Sequence, residues 1–212
     1  MSLEGEIVSR GSIQVPLFLF AALILSVTGM QRTYAAAIGA IIPDTTSLGT
    51  AVDTASPHSV RAGQPAPNFK LLNQAGHPVT LSDYTGKWVV LYFYPKDFSQ
   101  GCTVEARNFQ RDLPKYAAAN AVILGVSVDS VGSHKDFCSK EGLNFKLLAD
   151  TNAAVSAMYG SLHLWFGRKI SARNTFLIDP DGTVARVFTG VQPGIHSAQV
   201  LAALAELEPV VP

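Results

Sequence analysis

"WVVLYFYPKDFSQGCTVE", residues 88–105, decides how the rest of the chain is read. Its opening run, Trp88 to Phe93, is uninterruptedly apolar, the pattern of a strand covered on both faces of a sheet. Pro95 then fixes the start of a loop, Gly101 frees the backbone, and one of only two cysteines in the chain follows at Cys102. Behind it Ala106, Phe109, Leu113 and Tyr116 recur at helical spacing, so Cys102 lies where a buried strand gives way to a helix. Pro114 is expected to kink or divide that helix.

Working outward, "FKLL" (69–72) and "PVTL" (78–81) read as short strands around the turn "NQAGH" (73–77). "AVILGVSVD" (121–129) is a second buried strand. "SHKDFCSKEG" (133–142) is a short helix with Ser133 and Asp136 as its N-cap pair and Gly142 as its stop. "FKLLAD" (145–150), a helix from about Asn152 to Tyr159, a hairpin over 174–190 turned at "DPDG", and a last helix from about Ser197 to Glu206 complete the pattern. Strands and helices alternate and a hairpin plus helix follow, which implies an α/β domain: a mixed central sheet flanked by helices on both faces.

Hydrophobic residues make up 48% of the chain and charged ones 15%, and the apolar excess lies at the N-terminus. Ile13 to Met30 carries no charge, is flanked by Arg10 and Arg32, and runs into the small residues of "TYAAA". Residues 1–37 therefore read as a secretory signal, with a retained membrane anchor and a buried core helix as the alternatives. The Ser, Thr, Gly and Pro of 38–62 read as a flexible linker, and 63–209 as the globular domain. The expected location is export, to a periplasm or thylakoid lumen, or a membrane tether, rather than the cytoplasm. Lys+Arg and Asp+Glu balance at 16 each and the basic residues are scattered, which argues against a nucleic-acid partner.

Two cysteines are too few for a disulfide scaffold, and they do not form a Cys/His cluster at zinc-ligand spacing, so reactive chemistry is their remaining use. A thiol attacks only as the thiolate, and the positive end of a helix beginning at Cys102 favours that form. Ser99 offers a hydroxyl three residues before the sulfur.

This segment resembles the peroxidatic motif of the peroxiredoxins, in which a Pro, a Thr or Ser, and a Cys recur at the spacing of Pro95, Ser99 and Cys102. The similarity is closest to the PrxQ, or bacterioferritin comigratory protein, subfamily. It continues through "GQPAPNFKLLNQAG", "VSVDSVGSHKDFCSKEGLNFKLLAD" and "RNTFLIDPDGTVARVFTGVQPGIHSAQVLAAL". The resemblance implies a thioredoxin-like fold and a monomeric antioxidant peroxidase acting on hydrogen peroxide and organic hydroperoxides without metal, haem or flavin. By the same resemblance Cys102 is the peroxidatic thiol, Ser99 bonds it and the peroxide, Pro95 shields the loop, and Arg173 stabilises the sulfur with Glu105 orienting it. The position where many PrxQ proteins carry the resolving cysteine is Arg107 here, and Cys138 stands where other members place it, so Cys138 is the expected resolving thiol, recycled by thioredoxin or a similar dithiol. The alternatives are a core role for Cys138 with an outside thiol resolving and, for the whole protein, an inactive thioredoxin-like binding module. The histidines carry little weight: His58 falls in the linker, His77 in a turn, His196 at a helix start, and His134 on a solvated helix face. Trp165 and Phe166 are read chiefly as core packing, with a wall of the active site or a subunit contact as the alternatives.

Overall fold

The computed structural model describes residues 60–207. Its elements, in chain order, are β1 (Lys70–Asn73), β2 (Pro78–Thr80), a 3₁₀ turn (Leu81–Tyr84), β3 (Trp88–Phe93), α1 (Gln100–Ala118), β4 (Ala121–Ser127), α2 (Val131–Glu141), β5 (Lys146–Ala149), α3 (Ala154–Met158), β6 (Leu162–Trp165), β7 (Arg168–Ser171), β8 (Asn174–Ile178), β9 (Val184–Thr189) and α4 (His196–Leu207). Seven strands form one sheet in the order β2-β1-β5-β4-β3-β8-β9, and β6 and β7 form a separate hairpin. The run at 88–93 lies in the middle, parallel to β4 and antiparallel to β8. Both its neighbours are strands and both its faces are covered, which is why it has no polar alternation.

Side-chain alternation along β3 divides the core. Val90, Tyr92 and Tyr94 pack with Phe109 and Tyr116 of α1, Phe137 and Cys138 of α2, and Val200 and Leu204 of α4. Val89, Leu91 and Phe93 point the other way, to Val155 and Tyr159 around α3 and to Leu81 of the 3₁₀ turn. Helices thus cover both faces, and the chain enters α1 from the buried end of β3.

Several local signals match the sequence reading. The Asn73 side chain accepts from the backbone N–H of Ala75 and His77 at 2.9 and 3.0 Å, closing the β1–β2 turn. Asp179 does the same for Asp181 and Thr183 at 3.1 and 2.8 Å in the β8–β9 turn. Gly142 ends α2 in the left-handed region at φ 65°, where glycine carries no steric penalty.

Other expectations need correction. α1 is not divided at Pro114 but runs through it as one helix. Pro114 lies within five residues of the helix end, where one lost backbone bond is tolerated because Tyr116, fully buried, still anchors the last turn. α2 begins three residues earlier than the Ser133–Asp136 pair implies: Ser130 is its N-cap, accepting from the Ser133 N–H at 3.2 Å. Trp165 and Phe166 are not core residues. They form the tip of the β6–β7 hairpin and are 57% and 88% exposed. Among the described residues no helix is long and apolar enough to cross a membrane. The signal or anchor at 1–37 and all but the last three residues of the 38–62 linker lie outside them.

Candidate active site

Cys102 is the third residue of α1 and is 1% exposed. The apolar packing of β3 and α1 sets its position, and Gly101 sets its surroundings. A Cβ built on Gly101 would lie 2.8 Å from Nη2 of Arg173, so any larger residue would displace that guanidinium. Arg173, just ahead of β8, uses the space to donate from Nη2 to Cys102 Sγ at 3.2 Å. Its Nη1 donates to Glu105 Oε2 at 2.6 Å. Glu105 stands one helical turn after Cys102 on the same face of α1 and is completely buried. A buried carboxylate is tolerated here because it is paired and hydrogen-bonded.

The other Glu105 oxygen is occupied as well. His196, the first residue of α4, meets Oε1 through Nδ1 at 2.7 Å and is itself fully buried. A sequence reading that treats His196 as an ordinary helix-start residue misses this contact, because its partner lies 91 residues away. The four groups Cys102, Arg173, Glu105 and His196 form one hydrogen-bonded chain. Permanent positive charge is thereby placed against the sulfur, where a thiolate would carry its negative charge.

Pro95 and Ser99 lie in the loop that leads into α1. Ser99 occupies the N-cap position, and its hydroxyl donates to the Lys96 carbonyl at 3.1 Å rather than to Cys102. Pro95 is half-buried between Tyr94 and Lys96.

A second carboxylate–histidine pair joins the loop that precedes Cys102 to α2. Asp97, 2% exposed, accepts from Tyr94 Oη at 2.7 Å and from Ser133 Oγ at 2.7 Å, and meets His134 Nδ1 at 2.8 Å. Burial alone would raise the Asp97 pKa, but the bonds from His134, Ser133 and Tyr94 outweigh it and hold the carboxyl below the usual carboxylate range. His134 is fully buried, which corrects the reading of a solvated residue. Ser133 and His134 belong to α2, so the pair ties the loop before Cys102 to the helix that carries Cys138. Phe98 reinforces the tie by packing edge-on against Phe137, ring centroids 5.1 Å apart.

Cys138 is a free thiol, 8% exposed, in the same core cluster as Cys102. Burial, with Asp97 adding to it, pushes its pKa up to about 12. Arg107, two residues after Glu105 on α1, pairs with Glu141 at the end of α2. Tyr92 is a further residue with no sequence signal. Its buried hydroxyl has no partner among the described residues, and burial first, then Glu105, Cys102, Cys138 and Asp97, pushes its pKa far up. Among the described residues no cluster of three or more His, Cys, Asp or Glu could hold a metal ion.

The AhpC/TSA family matches residues 62–187. Peroxiredoxin Bcp of Bacillus subtilis is 39% identical over 153 residues, which span 70% of this chain and 98% of the relative. A cysteine-to-serine mutant of PrxQ from Xylella fastidiosa superposes with a TM-score of 0.67 at 35% identity, over 69% of this chain and 96% of that one. PrxQ from Xanthomonas campestris does so at 0.64 and 37% identity, over 69% and 98%. Solved structures of the Xanthomonas protein include cysteine-to-serine mutants at two cysteines separated by the same number of residues as Cys102 and Cys138 here. Another concerns the alkyl peroxide reduction activity of its bacterioferritin comigratory protein. With a sulfur, a guanidinium and a buried carboxylate arranged at the start of α1 in a thioredoxin-like fold, this chain belongs to the peroxiredoxins of the AhpC/TSA family, in the Bcp/PrxQ subfamily, and is a thiol peroxidase.

Proposed function

We propose that Cys102 is the peroxidatic thiol and Cys138 the resolving thiol of a monomeric peroxidase that reduces hydrogen peroxide and organic hydroperoxides. The observation that carries the first assignment is the Arg173 guanidinium 3.2 Å from Cys102 Sγ, held there by a buried carboxylate. The Cys102 thiolate attacks the terminal peroxide oxygen, the O–O bond breaks, and the alcohol or water leaves after taking up a proton. Cys102 is left as a sulfenic acid. Arg173 can meet the charge on both the sulfur and the departing oxygen, and Pro95 limits water at the loop.

Ser99 serves this step only if its hydroxyl turns from the Lys96 carbonyl toward the sulfur and the incoming peroxide, a rotation about one side-chain bond. Glu105 acts through Arg173.

For the second step the Cys138 thiolate attacks the sulfenic sulfur, a disulfide forms and hydroxide leaves as water. What supports Cys138 is that it is the only other cysteine of the chain, lies in the same core cluster, and shares its separation from Cys102 with the two cysteines mutated in the Xanthomonas relative. Both sulfurs are buried on separate helices, and a disulfide needs Cα atoms within about 7 Å, so α2 and the start of α1 are expected to loosen as the bond forms. An external dithiol such as thioredoxin then returns both thiols. The alternative, an inactive binding module, is disfavoured by the intact Cys102–Arg173–Glu105 arrangement. For 1–37 we propose export or tethering, a reading supported by the uncharged run Ile13 to Met30 and by a family match that begins only at residue 62.

Peroxide consumption coupled to a dithiol reductant tests the cycle. Wild type turns over, Cys102→Ser does not, and Cys138→Ser accumulates oxidised Cys102. Full reductant-linked turnover in Cys138→Ser would remove the resolving role.

A further inference from the structure

A carboxylate held through one oxygen swivels easily, because the terminal torsion of a glutamate is broad and soft. Glu105 is held through both. Arg173 Nη1 takes Oε2 at 2.6 Å and His196 Nδ1 takes Oε1 at 2.7 Å. Among the described residues His196 makes no hydrogen bond to the sulfur or to Arg173; its one side-chain hydrogen bond is to Glu105. Its Nε2 is buried without a hydrogen-bond partner among the described residues, so the imidazole's whole polar contact goes to that one carboxylate oxygen. A buried polar ring with an unmatched nitrogen costs free energy that an aliphatic side chain would not.

The surroundings fix the ring in turn. Phe109 packs edge-on against it at 5.0 Å and Phe188 at 6.3 Å. The segment leading into α4 is clamped on α1: Asn108 donates to the carbonyls of Pro193 and Gly194 at 3.2 and 3.1 Å, and Tyr116 Oη to that of Ser197 at 2.8 Å. Ser197 Oγ adds a bond to Asp112 at 2.9 Å, with Asp112 held well below the usual carboxylate range, chiefly by Arg111. The hydrogen bonds from Asn108, Tyr116 and Ser197 tie the start of α4 to α1, and beside them Glu105 and His196 meet.

We propose that His196 is a positioning residue for the peroxide-reduction step: its Nδ1–H locks the Glu105 carboxylate so that Glu105 holds the Arg173 guanidinium on the Cys102 sulfur. The proposal rests on Cys102 being the peroxidatic thiol. It predicts that what matters at position 196 is a donor at the place of Nδ1, not an aromatic ring.

Asparagine and glutamine separate those requirements, because the amide nitrogen of an asparagine side chain falls near the Nδ1 position and that of a glutamine near Nε2. In the full-length protein, the rate of Cys102 oxidation by hydrogen peroxide in a single turnover is expected to stay within about threefold of wild type in His196→Asn and to fall about tenfold or more in His196→Gln. The rate of disulfide formation after Cys102 is oxidised should be unchanged in both. Equal rates in the two variants, whether fast or slow, would overturn the positioning role, the slow case marking a packing residue. A wild type whose Cys102 does not react with peroxide would instead remove the peroxidatic assignment. Should either variant fail to fold, ¹⁵N-histidine NMR of the wild type decides: a proton on Nδ1 of His196 is required, and a bare Nδ1 overturns the proposal.

Discussion

Two buried carboxylate–histidine pairs have their carboxylates five residues before and three residues after Cys102 in the chain, and they are almost the same interaction. Asp97 meets His134 Nδ1 at 2.8 Å and Glu105 meets His196 Nδ1 at 2.7 Å, all four residues being at most 2% exposed and both Nε2 atoms lacking a partner among the described residues. What differs is what each pair joins. Glu105–His196 links α1 to α4, two helices that pack on each other and on the sheet, and Glu105 in turn bonds Arg173, which bonds the sulfur. Asp97–His134 links the loop before Cys102 to α2, the helix that has to release Cys138 in the proposed cycle. In the proposed cycle the first pair is expected to serve by staying closed and the second to oppose disulfide formation for as long as it is closed. The same buried chemistry would then have opposite kinetic consequences according to whether the element it holds moves.

The largest effect falls on the sulfur itself: Cys102→Ser lowers peroxide turnover by at least about 1,000-fold, measured by peroxide consumption. Next is the group that both Cys102 and Glu105 share. Arg173→Lys keeps a positive charge but not the fork that bonds sulfur and carboxylate together, and is expected to slow Cys102 oxidation about a hundredfold in stopped-flow. A Lys variant as fast as wild type would show that charge alone suffices and that the Glu105 side contributes no geometry.

The Asp97 side breaks in the opposite direction. His134→Leu leaves Asp97 short of one partner, costs about 1–3 kcal/mol of folded-state stability, and loosens α2. Disulfide formation should then run about tenfold faster while Cys102 oxidation is unchanged, with earlier amide exchange in α2. A slower disulfide step would mean that the pair assembles the oxidised state instead of restraining it.

pH acts on the same balance with a definite sign. Cys138 has its pKa pushed up to about 12 by burial, whereas an unfolded cysteine titrates at about 8.5. The contribution of its burial is therefore complete below about pH 8.5 and is lost as pH rises toward the folded value, so α2 loosens and disulfide formation quickens in alkali. Asp97 is shifted the other way. Its contribution is complete above the ordinary carboxylate value of about 3.9 and is lost as pH falls through its lower folded value, so α2 also loosens in acid. Amide exchange of α2 across pH should show protection greatest between those limits. The smallest effect on turnover is at Arg107: its side chain is 63% exposed but that of Glu141 is 4%, so Arg107→Ala leaves a largely buried carboxylate without its partner and should cost about 1–3 kcal/mol in a denaturant melt while peroxide consumption is unchanged.

The two sides of Cys102 are unequally legible in the sequence. The apolar run at 88–93, the turn residues and the strand-to-helix handover are local patterns, and they place Cys102 at the start of α1, where the structure has it. Arg173 and Glu105 are reached through the resemblance, and the structure brings Arg173 to the sulfur and Glu105 to Arg173. The histidines carry no local signal, since His134 and His196 find their carboxylates 37 and 91 residues away and are polar letters on otherwise buried surfaces. Ser133 illustrates a related limit. Its residue type suggests an N-cap, but Ser130 takes that position, and the Ser133 hydroxyl goes to Asp97. The β6–β7 hairpin misleads for the converse reason: the apolar letters of Trp165 and Phe166 suggest burial, yet the hairpin has only a tight tip to offer them.

The most direct test of the account is a non-reducing peptide map of the reduced full-length protein after one equivalent of hydrogen peroxide. The account predicts a single new species, the Cys102–Cys138 disulfide within one chain. Cys102 recovered as sulfenic or sulfinic acid beside an untouched Cys138 thiol would contradict it.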